Sequence, residues 1–101
     1  MYYVYLLYSS SANKYYVGYT DNVDRRLYEH NHPEIKSKFT AKYVPWTLSL
    51  AIPVSEGRGQ AMKIEKFIKK QKSRAFIHKL IENKSDPLFF EKLVSEITKK
   101  G

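Results

Sequence analysis

The chain has 101 residues, no cysteine and a formal net charge of +8. That length suits one domain around one core, the missing thiols exclude disulfides and thiolate metal sites, and no apolar run approaches the roughly 20 residues of a membrane span. A basic surface attracts polyanions, and nucleic acid is the commonest polyanion of the cytoplasm, where the chain is expected to reside.

Residues 2–8, "YYVYLLY", are aromatic and β-branched without a breaker, and read as a first strand rather than a signal peptide. "SSSAN" at 9–13 is turn-like, and "KYYVGYT" at 14–20 is a second strand, which closes a β-hairpin. Alternation puts Tyr16 and Gly18 on one face, with Tyr15, Val17 and Tyr19 on the other. A glycine weakens a strand, so Gly18 implies a close approach by another group.

Asp21 is placed to cap a helix that runs to about Asn31 and ends at His32-Pro33, with Asp24 in the first turn. Val23, Leu27 and His30 share its inner face, and Arg26 borders that face while Arg25 points toward solvent. An arginine on the packing side is costly unless it snorkels or meets an anion. Residues 33–45 read as a long loop, and "WTLSLAIPVS" at 46–55 as a third strand that Pro53 places near an edge.

After "EGRG" the apolar period becomes helical. A helix from about residue 60 has Ala61, Ile64, Ile68 and Gln71 inward, a break near Lys72 lets Ser73 cap a second helix, and Asp86-Pro87 opens a last one. Leu88, Leu93, Val94 and Ile97 form the apolar side of that last helix. Glu65 borders the inner face of its helix and is the only carboxylate between Arg58 and Lys79. It could be an ordinary ion-pair partner of Lys69 or a carboxylate for a hydrated divalent cation.

Taken together, these residues resemble the GIY-YIG nuclease superfamily, in particular its small stand-alone UPF0213-type members. Tyr3-Val4-Tyr5 stands for the first motif, Tyr16-Val17-Gly18 for the second, and "GYTDNVDRRLYEHN" for the usual continuation into the first helix. The resemblance implies an α+β fold: a three-stranded antiparallel sheet, the hairpin plus a third strand, flanked by helices in the order ββαβααα. A single domain over 1–101 is expected, with a core over about 1–83 and a C-terminal helix over about 86–99.

By the same resemblance the activity would be divalent-metal-dependent phosphodiester hydrolysis in DNA, in repair, recombination or defence, with RNA left open. Tyr5 and Tyr16 would line the site and one would help deprotonate water. Arg26 would hold the phosphate, His30 would move or position a proton, and Glu65 would bind Mg²⁺ or Mn²⁺. Arg25 and Tyr19, with Lys63, Lys66, Lys69, Lys70, Lys72 and Arg74, would contact nucleic acid; Gly18 and Asn83 are further candidates, although Asn83 is also a natural helix C-cap. A homodimer or a partner protein would supply specificity. Two other readings stand beside this one: a non-catalytic nucleic-acid-binding module, and an interaction or dimerisation module built on the last helix.

Overall fold

The computed structural model describes residues 1–32 and 40–99. Strands β1 (Tyr2–Ser9) and β2 (Lys14–Thr20) lead into helix α1 (Val23–Asn31). A short 3-10 helix (Thr40–Tyr43), β3 (Trp46–Ser55), α2 (Arg58–Gln71), α3 (Arg74–Glu82) and α4 (Pro87–Lys99) follow. This is the expected α+β order. Of the expected loop at 33–45, residues 33–39 lie outside the described residues and 40–43 form the 3-10 turn.

The sheet order is β2-β1-β3, and both pairings are antiparallel. The central position of β1 explains its unbroken apolar run, because both of its faces are covered. Val4 and Leu6 join Val17, Leu50 and Ile52 beneath α2, α3 and α4, which contribute Ala61, Ile64, Ile68, Leu80, Phe90 and Ile97. Tyr5, Leu7 and Trp46 form a second cluster on the opposite face, with Tyr16, Leu27 and Tyr43 packed against it. Each face therefore carries its own core, and α1 closes the smaller one.

Simple alternation would put Trp46, Leu48, Leu50 and Ile52 on one face. Leu6 pairs with Leu50 but Leu7 pairs with Leu48, so Ser49 is an extra residue in β3. This bulge sends Leu50 and Ile52 to the larger core and leaves Trp46 in the smaller one.

Several local expectations are corrected. The α1 cap is Asn22, whose side chain accepts from the Arg25 amide at 3.0 Å; Asp21 instead pairs with the Arg25 guanidinium. Helix α2 starts two residues early, at Arg58. Gln71 is exposed and donates to the Phe67 carbonyl rather than facing inward. Leu88 is 71% exposed, and Phe90 takes the buried place near the start of α4. Ser73 and Asp86 cap α3 and α4 as expected. Among the described residues no helix is long and apolar enough to cross a membrane.

Candidate active site

Four elements converge on one cleft of about 450 Å³. Tyr5 comes from β1, Tyr16, Gly18, Tyr19 and Thr20 from β2, Arg25 and Arg26 from α1, and Arg58 and Glu65 from α2. Helix α2 packs on the larger-core face against all three strands, and its Arg58 and Glu65 reach the cleft. A larger groove of about 610 Å³ lies between β3 and α4, lined by residues such as Pro53, Val54, Phe90 and Val94. It has the apolar lining of a docking surface and lacks the charged set of the cleft.

Gly18 has a definite task. It pairs with Tyr5 across the hairpin, and a Cβ built on it would lie 2.5 Å from the Tyr5 hydroxyl oxygen. The Tyr5 ring thus lies across the glycine, buried to 1% exposure. Its hydroxyl shares a 3.0 Å hydrogen bond with Nε2 of His30, itself 2% exposed. Tyr16 packs on both, with ring centroids 6.3 Å from Tyr5 and 4.8 Å from His30.

Burial pushes the Tyr5 phenol up to about 12, against the pull of its hydrogen bond to Arg26. The phenol is therefore neutral at physiological pH, and it donates to His30 Nε2 when the ring proton sits on Nδ1. The folded value lies above the ordinary 10.0, so Tyr5 subtracts nothing from stability below about pH 10. Stability is expected to fall as pH rises from about 10 to about 12, where an unfolded phenol ionises first. Denaturant titrations across that window check this, and Tyr5→Phe should decline less steeply than the wild type.

Burial disfavours the Arg26 charge, but hydrogen bonds to Tyr5 and Glu29 outweigh it and the net shift is upward. Arg26 pairs with Glu29 at 3.0 Å, and both side chains are mostly covered. Glu65, 19% exposed, is the one carboxylate among the described residues lining the cleft. Lys69 reaches it at 3.4 Å and also sits 5.8 Å above the Tyr16 ring. Both expectations for Glu65 are thus compatible: it has a helix ion pair and it faces the cleft.

The remaining candidates fall into two groups. Arg25 and Tyr19 reach the cleft wall. Lys63, Lys66, Lys70 and Lys72 are exposed, and Arg74 is tied to Asn13 at the hairpin turn. Asn83 is the C-cap of α3, donates to the Lys79 carbonyl, and is not among the residues that line the cleft.

Two contributors escape a sequence reading. Arg58 lines the cleft together with Arg25 and Arg26 of α1. The Asn31 amide accepts from the Trp46 amide at 2.6 Å and donates to the Trp46 carbonyl at 2.9 Å, pinning the end of α1 beside β3. That clamp fixes the turn that carries His30. The adjacent "HN" in the sequence was the available signal, but the partner lies 15 residues away.

Chemically, the cleft offers a cationic rim for an anion, one carboxylate for a hard cation and a buried phenol–imidazole pair for proton transfer. A family model, the GIY-YIG catalytic domain, matches residues 1–79. No curated protein and no solved structure matches the chain.

Proposed function

The chain belongs to the GIY-YIG catalytic domain family, and on that premise we propose that it is a divalent-metal-dependent endonuclease hydrolysing phosphodiester bonds in DNA. The observation that carries this reading is the meeting of Tyr5, Tyr16, Arg26 and Glu65 from four separate elements in one cleft. A packing role would not need these four polar groups together. Residues 1–101 act as one domain in the cytoplasm in this reading.

The donor set fits a single-carboxylate metal site. Among the described residues no three His, Cys, Asp or Glu side chains cluster, so those residues offer no protein-only cage. Magnesium keeps most of its waters and takes one or two carboxylates plus phosphate oxygens. Glu65 would hold Mg²⁺ or Mn²⁺, which supplies charge stabilisation at the leaving oxygen when bound.

The protein groups divide the remaining work. Arg26 exchanges Glu29 for the non-bridging phosphate oxygens, with Arg25 and Arg58 lining the same cleft and adding charge that draws the phosphate in. Tyr16 is only half-buried and orients the attacking water, with the Lys69 ammonium beside its ring. Tyr5 is too buried and too weak an acid to be the first base. It instead passes a hydrogen-bonded proton between the cleft and His30.

Purified protein incubated with labelled single-stranded, duplex and branched DNA tests the reading. Cutting is expected with Mg²⁺ or Mn²⁺ and none with EDTA. Arg26→Lys keeps the charge but loses the planar fork, and should cut about 100-fold more slowly. Binding without any cutting would instead support the non-catalytic module, with the neutralising partners Glu29 and Lys69 as its resting state.

A further inference from the structure

We propose that the hairpin end of the molecule carries a second nucleic-acid contact, a platform of Tyr15, Arg74 and His78 that stacks one unpaired base. The proposal rests on the cleft being a nucleic-acid site, and it deepens that reading by asking for a single-stranded segment beside the cleft.

The platform is built and held. The Arg74 guanidinium lies over the Tyr15 ring, with its central carbon 5.2 Å from the ring centroid. Both of its terminal nitrogens donate to Asn13, one to the side chain at 2.9 Å and one to the carbonyl oxygen. Asn13 is fixed in turn by the Tyr8 hydroxyl at 2.8 Å, and its φ of 53° suits an asparagine. His78 meets the Tyr15 ring edge-on at 5.8 Å. Arg74 and His78 are both exposed.

Charge distinguishes this cluster from an ordinary hairpin brace. Arg25, Arg26 and Lys69 each have a carboxylate partner. Arg74 bonds to the neutral oxygens of Asn13, and no carboxylate among the described residues pairs with it. A guanidinium held along one edge, uncompensated and open on one face, is a surface on which nucleic-acid bases stack.

Position supplies the rest. Cleft and platform lie along the same edge strand, from Thr20 at one end of β2 to Asn13 just before the other, with Tyr16 and Gly18 on the cleft's face and Tyr15 on the opposite one. Strand rise makes that roughly 20 Å, the length of several nucleotides. Lys69, over the Tyr16 ring, stands between them. A strand whose scissile phosphate sits in the cleft would pass round the free edge of β2 beside Lys69 and bring a base onto Arg74.

The test measures binding, in EDTA, so that cutting does not enter. Fluorescence anisotropy compares a single-stranded oligonucleotide with a duplex of equal length, for wild type, Arg74→Lys and His78→Ala. Arg74→Lys keeps the charge and should weaken single-strand binding about 10-fold while changing duplex binding less than about 2-fold. His78→Ala, which leaves the Asn13 clamp in place, should act in the same direction. An oligonucleotide with one abasic position should erase the difference between variant and wild type when that position faces the platform. Equal losses on both substrates, or none, overturn the proposal. Selective loss of single-strand binding in a protein that cuts nothing would sustain the platform and sink the nuclease reading.

Discussion

Glu65→Gln is expected to abolish cleavage while leaving nucleic-acid binding intact. Glutamine keeps the shape of the side chain, and Ile64 and Ile68 on either side hold α2 in the larger core. The lost pair with Lys69 is an i,i+4 contact whose lysine is half exposed, so stability should change by less than about 0.5 kcal/mol. In the proposed reading, what would disappear is the charge that holds a divalent cation. A metal at the leaving oxygen lowers the barrier by several kcal/mol, so cutting should fall by about 1000-fold or more. Binding in EDTA should hold or tighten, because the cleft keeps Arg25, Arg26 and Arg58 and loses its one lining carboxylate. Cleavage rates and anisotropy on the same preparations decide the matter. A variant that still cuts within tenfold of wild type would move the metal away from Glu65.

Gly18→Ala should damage fold and site together. Strand propensity alone favours alanine by roughly 0.5–1 kcal/mol. The local geometry reverses that sign, since the new methyl would meet the Tyr5 ring at Cζ 2.6 Å away and the hydroxyl oxygen at 2.5 Å. The ring has little freedom to retreat, because it is buried and bonded to His30. Overpacking of this kind costs about 1–3 kcal/mol, and the broken Tyr5–His30 bond adds about 1 kcal/mol. A clear fall in Tm is expected, with cleavage lowered about 100-fold as Tyr5 leaves its place beside Arg26. Thermal melts and cleavage rates measure both effects. An unchanged Tm would mean that the Tyr5 ring swings aside at little cost, and that its position is softer than its burial suggests.

The parts of the fold that could be read from the chain are those set by local rules. Strand and helix periods gave the ββαβααα order, and Ser73 and Asp86-Pro87 marked helix starts, because capping acts over three or four residues. Asp21 and Asn22 were both competent caps, and the Thr20 hydroxyl, which binds the Asn22 amide, helps set the turn so that Asn22 takes the place. The Ser49 bulge had no local mark at all, since it is fixed by how Leu6 and Leu7 pair across to β3.

For the candidate site, the residue types and motif spacing of Tyr5, Tyr16, Arg26, His30 and Glu65 were visible in the sequence, together with the family they point to. Their mutual geometry was not. Only the packed structure decided that the group crowding Gly18 is the Tyr5 ring, that Arg58 joins the cleft, and that Asn31 clamps α1 to Trp46. The reason is physical: a sequence specifies periodicity and chemistry over a few residues, whereas burial and contacts between elements depend on which elements the sheet order brings side by side.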